Sequence, residues 1–229
     1  MNIYVVVEGE VGEKKLYENW IPYVNENLTY APIIDSVTEN NFYIVKAGGY
    51  PNIFNITEKA IEDVISIQDN NGLALFDRLV VVVDSEDDSL QQRMTKVNNH
   101  INSVIQKLGI NVNYKVVIQH FCLETWGLAN KKLMANNIKN PDLAKYIKIF
   151  NVFQNDPENL PELMSEDMNR AQFADKYLRL LLNNKFRNLS YSKNNPEALL
   201  HNHYYTEVCK RHNNDHYISS FSTFLSAFI

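Results

Sequence analysis

The chain has 229 residues, 45% of them hydrophobic, which suits one large core or one core with an appendage and is too apolar for a disordered chain. No run of about 18 apolar residues occurs, and the first apolar run ends at Glu8, too early for a secretory signal, so a cytoplasmic protein with no membrane span is expected. Cys122 and Cys209 give no disulfide framework, and the net charge of -5 speaks against a uniformly basic polyanion binder.

The charge is divided unevenly. Residues 1–130 carry 9 Lys and Arg against 17 Asp and Glu, whereas residues 131–229 carry 13 against 10. An acidic half suited to a metal ion is followed by a mildly basic half suited to a polyanion, although two differently solvated surfaces would read the same way.

Ile3 to Val7 is a short β-branched run closed by Glu8-Gly9-Glu10, the pattern of a buried strand. A helix is expected from Gly12 to about Asn27, and a second strand from Phe42 to Val45, closed by a glycine turn at Gly48-Gly49. Ile53, Ile56, Ala60, Ile61 and Val64 predict a helix over Asn52–Ser66. Leu79 to Val83, with four consecutive valines, has the composition of a central strand covered on both faces. A helix over Ser89–Leu108, a strand over Tyr114–Gln119 and a helix starting in Phe121–Ala135 follow. This alternation predicts an α/β fold with a mostly parallel sheet, in which ligands bind beyond the carboxyl ends of the strands. Beyond about Lys131 the pattern becomes helical, with helices expected near Met168–Asn183, Pro196–Arg211 and His216–Phe228. The division expected is a catalytic domain over 1–130 and an α-helical extension over 131–229.

Glu8 follows the first strand and Asp84 the central one, so both carboxylates are expected at one edge of a parallel sheet. With Glu86 or Asp88 they supply the hard oxygen donors that Mg²⁺ takes, together with water and phosphate. A metal held there activates water and neutralises charge on a phosphodiester. Acidic residues after strands also suit helix N-termini, and Asp88 or Ser89 suits an N-cap. Clustered acids, however, repel one another unless a cation screens them.

The string Val7-Glu8-Gly9-Glu10-Val11-Gly12-Glu13 resembles the "VEGxxxE" signature that opens the TOPRIM domains of OLD and RloB-like nucleases. Val81-Val82-Val83-Asp84-Ser85-Glu86-Asp87 is similar to their DxD segment, and His120-Phe121-Cys122-Leu123-Glu124-Thr125-Trp126 to the "fElW" segment after it. Tyr191-Ser192-Lys193 resembles a lysine-bearing segment near the end of such proteins. The likeness covers residues 1–130 and thins beyond them. It implies a TOPRIM-like fold and Mg²⁺-dependent nucleic-acid cleavage, with Mn²⁺ as a substitute, Glu8 as general base or ligand and Asp84 as ligand. Glu86, Asp87 and Asp88, in that order, are candidates for the second DxD ligand.

It further implies a DNA or RNA substrate, tRNA included, and kinship with the TOPRIM effector nucleases of anti-phage systems such as PARIS. Those work with an ABC-type ATPase. The chain has no G-x-x-x-x-G-K-[ST] loop, so an ATPase would be a separate polypeptide. A homodimer through the helical extension is a further expectation.

Glu124 suits either the acidic cluster or a helix cap, and Lys193 either charge stabilisation on the transferred phosphate or ordinary solvation. Lys176, Arg179, Lys185 and Arg187, interleaved with Tyr177 and Phe186, suit a phosphate backbone and unpaired bases, or equally an amphipathic helix. Cys209, His212 and His216 have a zinc-compatible spacing but no Cys-x-x-Cys beside them. The rival reading is a non-enzymatic Mg²⁺-binding signalling module in which Asp84 accepts phosphate.

Overall fold

The computed structural model describes residues 1–186 and 191–229. Strand β1 (Ile3–Val7) leads to helix α1 (Val11–Val24), then β2 (Thr29–Ala31), β3 (Asn41–Lys46) and α2 (Asn52–Ser66). Strand β4 (Arg78–Asp84), helix α3 (Leu90–Leu108) and β5 (Tyr114–Gln119) complete the sheet. It is a five-stranded parallel sheet in the order β2-β3-β1-β4-β5, flanked by helices: a Rossmann-like α/β fold.

Side chains alternate between the two faces of each strand, and both faces are dry. Tyr4, Val6, Val81, Val83 and Ile118 meet α2 and α3, while Ile3, Val5, Val7, Val80, Val82 and Val117 meet α1 and everything beyond β5. Helix α3 is delimited by local chemistry. Ser89 and Gln92 form a reciprocal capping box at its start, and Gly109, at φ 65°, closes its end in the left-handed conformation. Ser89, not Asp88, is therefore the cap.

After β5 come α4 (Leu123–Gly127), α5 (Pro141–Ile149), α6 (Arg170–Lys185), α7 (Glu197–Leu200), α8 (Asn202–Asp215) and α9 (Phe221–Ala227), with short 3-10 turns at Lys131–Leu133, Pro157–Asn159 and Met164–Glu166. Several of these depart from the sequence expectation. The helix expected to start in 121–135 lasts five residues, because Phe121 is left-handed at φ 61° and the Asn130 side chain accepts the Lys132 N–H, starting a new turn. The helix expected over 196–211 is broken at His201, whose extended backbone (ψ 139°) restarts it as α8. The last helix begins five residues late. His216 and Ile218 are left-handed, held there by Asp156, which accepts the Ile218 N–H, and Glu158, which accepts the Ser220 N–H. Strand β2 and helix α5 carry no expectation at all; Asn140 and Pro141 open α5 as N-cap and first helical residue.

Helix α9 lies along the edge strand β5. Thr223 Oγ1 accepts the Ile118 N–H and Ser220 Oγ accepts both the His120 N–H and, at 2.7 Å, the Trp126 indole N–H. The open edge is thus covered, which blocks pairing with another strand. Among the described residues no helix is long and apolar enough to cross a membrane.

Candidate functional site

The chain leaves β1 toward β3 on one side and returns through α2 to β4 on the other, so the carboxyl ends of β1 and β4 form the crevice where such sheets take their ligands. Register pairs Val7 with Val82, which places Glu8 beside the last residues of β4. The Asp84 backbone N–H donates to Glu8 Oε2 at 3.1 Å, and Glu8 is 6% exposed. Two residues 76 positions apart thus meet because two parallel strands end side by side.

Two depressions open from this point. An inner pocket of about 250 Å³ is lined by Glu13, Asp84, Gln119, Glu124, Tyr191 and Lys193, and an outer cleft of about 530 Å³ by Glu8, Tyr50, Asp84, Glu86, Arg93 and Lys193, among others. Asp84 and Lys193 face both.

The inner pocket holds more acid than the expectation named. Glu13, in the first turn of α1, accepts the Gly9 N–H, which turns its carboxyl back toward β1. Burial pushes that carboxyl up to about 8; the Gly9 N–H opposes the rise and the neighbouring Glu8 adds to it. Asp84 is raised well above the carboxylate range by burial, then by Glu13, Glu8 and Glu124, with Lys193 opposing. Glu8 is raised by burial, which the Asp84 N–H, Arg93 and Lys193 offset in part. Among the described residues Asp84 Oδ1 and Glu13 Oε1 are buried without a hydrogen-bond partner within normal distance, the Glu13 carboxyl lying beside the Gln119 side chain. Sequence reasoning did not assign Glu13 to the site, although it closes the Val7–Glu13 string; the signal was the second acid, five residues after Glu8.

Lys193 sits on a loop pressed against the start of α1. A Cβ on Gly12 would lie 1.8 Å from the Lys193 carbonyl oxygen, so only glycine allows the approach. Tyr191 anchors the same loop, donating to Glu124 Oε1 at 2.6 Å. Glu124, 2% exposed, raises the Lys193 ammonium above its usual range, against the effect of burial. Glu124 therefore holds the lysine loop on one side and borders the acids on the other.

Compared with protein-family models, curated proteins and solved structures, the chain matches none.

The remaining expected residues lie further out. Glu86 and Asp87 are exposed on the lip of the outer cleft, Glu86 in the left-handed conformation at φ 50°. Asp88 is already engaged, 3.2 Å from Arg93 Nε and 2.8 Å from Lys96 Nζ. The basic stretch on α6 is not gathered at the site: Lys176 pairs with Glu166, Arg179 with Asp175, and Lys185 donates to the Met134 carbonyl. Arg187 lies outside the described residues. Cys209 packs beside Tyr205, and His212 Nδ1 is 3.2 Å from the Tyr217 carbonyl.

The oxygen donors fit a hard divalent cation. Such an ion needs one or two carboxylates, the rest being water and substrate oxygen, and the orphaned Asp84 Oδ1 and Glu13 Oε1 are donors of that kind. Among the described residues no three His, Cys, Asp or Glu side chains are grouped so as to hold a metal ion.

Proposed function

We propose that the chain is a TOPRIM-type, Mg²⁺-dependent nuclease that hydrolyses phosphodiester bonds in DNA or RNA. The observation that carries this reading is the convergence of Glu8, Glu13 and Asp84 at the ends of β1 and β4, with buried carboxyl oxygens left unpartnered opposite Lys193. Glu8, Glu13 and Asp84 are raised by burial and each further by a neighbouring acid, a state costly to a fold unless a cation relieves it.

Asp84 would hold Mg²⁺ or Mn²⁺, with Glu13 on the inner side and Glu8 as a further ligand or as the general base. The ion supplies Lewis acidity, lowering the pKa of bound water and neutralising charge on the scissile phosphate. The protein's own groups do the rest. Glu8, kept from water, is a base whose proton affinity is raised by burial. Lys193, held by the Tyr191 and Gly12 contacts, offers its ammonium to the charge that grows on the phosphate oxygens. Glu13, with its carboxyl near 8, keeps a proton at neutral pH until a cation displaces it.

On this reading the chain is a toxic effector of an anti-phage system, restrained or triggered by a separate ABC-type ATPase. Cytoplasmic residence and a homodimer through the helical half belong to the same proposal. The rival reading, in which Asp84 accepts a phosphoryl group, has no observation specific to it.

The test is cleavage. Purified chain, alone and with its partner ATPase, is incubated with single-stranded DNA, duplex DNA and tRNA in Mg²⁺ and in EDTA. Cutting in Mg²⁺ alone, abolished in Glu8→Gln, is expected; equal cutting by Glu8→Gln would sink the assignment of Glu8.

A further inference from the structure

The outer cleft has a wall that phosphodiester chemistry alone does not use. The turn from β3 to α2 runs through Gly48 and Gly49 at φ 75° and 101°, conformations reserved for glycine, and the Gly49 N–H donates to the Glu8 carbonyl at 2.8 Å. Tyr50 is therefore set at a fixed position relative to Glu8. Its ring is braced from within the protein: the Arg93 guanidinium lies 4.8 Å from its centroid and Phe54 meets it edge-on at 5.5 Å. Arg93 is itself anchored, 6% exposed and donating to the Ser85 carbonyl. Yet Tyr50 remains 50% exposed.

A single exposed aromatic residue is ordinary. One that is held rigid by a buried arginine, half open, and placed on the lip of a cleft that ends at buried carboxylates is a different object. Its ring rests against Arg93 and Phe54 while the residue stays half exposed, an arrangement that suits a stacking platform. The same cleft carries the cations Arg93, Lys96 and Lys193, of which Lys96 is about half exposed. Glu86, Asp87 and Asp88 line the same cleft, and Asp88 already pairs with Arg93 and Lys96, so phosphate attraction there is modest.

We propose that Tyr50 is the stacking platform for an unpaired base, so that the site takes a single-stranded or extruded nucleotide and not a continuous duplex. This rests on the reading of the site as one that acts on nucleic acid. In a duplex the base faces are occupied by their neighbours, whereas an unstacked base presents a free face to an aromatic ring whatever its sequence. At about 530 Å³ the cleft has the volume of a small-ligand site, enough for one nucleotide beside the acids. Deoxyribose and ribose share this chemistry, and the experiment separates them.

Binding is measured by fluorescence anisotropy in a Glu8→Gln background with Ca²⁺ present, so that the probe is not consumed. The probes are a short labelled oligothymidylate, the matching oligouridylate and a blunt duplex of the same length. Tighter binding of either single strand than of the duplex is expected. Tyr50→Ala then weakens the single strand by about 5- to 150-fold, Tyr50→Phe retains it within about twofold, and duplex binding is unchanged. Equal affinity of the parent for strand and duplex, no binding of either, or no effect of Tyr50→Ala overturns the inference, whether or not the wild-type chain cuts. Conversely, Tyr50-dependent single-strand binding by a chain that cleaves nothing upholds the platform and removes only the nuclease reading.

Discussion

Glu13 joins the candidate site by a change of direction that its position in the chain does not announce. It stands five residues after Glu8, but the Gly9 N–H draws its carboxyl back over the end of β1, and burial raises it from 4.5 to about 8. A carboxyl raised on folding stabilises the fold fully below its unfolded value and loses that contribution as pH rises through the folded one. In chelator, the urea midpoint is therefore expected to fall between about pH 5.5 and 8.5, and Glu13→Gln to flatten the fall. Mg²⁺ should restore the midpoint more at the upper pH, because it competes with protons for the same oxygens. A pH-independent midpoint in the parent chain would show that Glu13 is not held in this state. At this scale the residue types at the strand ends were legible, since Glu8 and Asp84 follow unmistakable strands. The basic residues of α6 were not: their partners Glu166 and Asp175 neutralise them, one from ten residues away across a loop and one from the adjoining turn of the helix.

Helix α1 illustrates what a single element contributes. Gly12 has ordinary helical company, yet its missing side chain is what lets the Lys193 backbone approach to touching distance. Gly12→Ala must push the 191–195 loop outward, since backbone and not a flexible side-chain tip opposes the new methyl. A stability cost of about 1–3 kcal/mol is expected from the overpacking. If the nuclease reading holds, turnover should fall by about 100-fold through misplacement of Lys193, with Mg²⁺ affinity little changed. Thermal melting and single-turnover cleavage measure the two effects separately, and wild-type turnover in Gly12→Ala would remove Lys193 from the chemistry. The elements α2 and β5 have the bounds that periodicity predicts, because their apolar faces and flanking residues are local signals. Helices α4 and α7 to α9 do not: local backbone turns at Phe121, Asn130 and His201 cut the first three, and Asp156 and Glu158, distant in the chain, set the start of α9.

Across the whole molecule one apolar face of the sheet packs against α1 and, over the rest of its area, against the C-terminal half. Val5, Val82 and Trp20 share one core with Trp126, Phe173, Tyr177, Phe221 and Phe224, and the Trp20 indole donates to the Leu199 carbonyl. A fragment of residues 1–130 would leave the rest of that area in water. Each large side chain so exposed forfeits about 1.5–3 kcal/mol, and a handful of them are comparable to the roughly 5–15 kcal/mol by which a domain is ordinarily stable. The fragment is expected to lack a cooperative unfolding transition by circular dichroism, while the full chain shows one. A cooperatively folding fragment would establish 1–130 as an independent domain.

The alternation of strands and helices, the buried β1 and β4, and the acids that follow them could be read from the linear chain, because period, β-branching and strand-end position are local properties. Only the tertiary structure decided that Glu13 turns back into the site, that Glu124 ties down the Lys193 loop through Tyr191, and that Lys176 and Arg179 pair with nearby acids. Those outcomes depend on which groups meet across folded distance, where burial and opposite charge act through space and not along the chain.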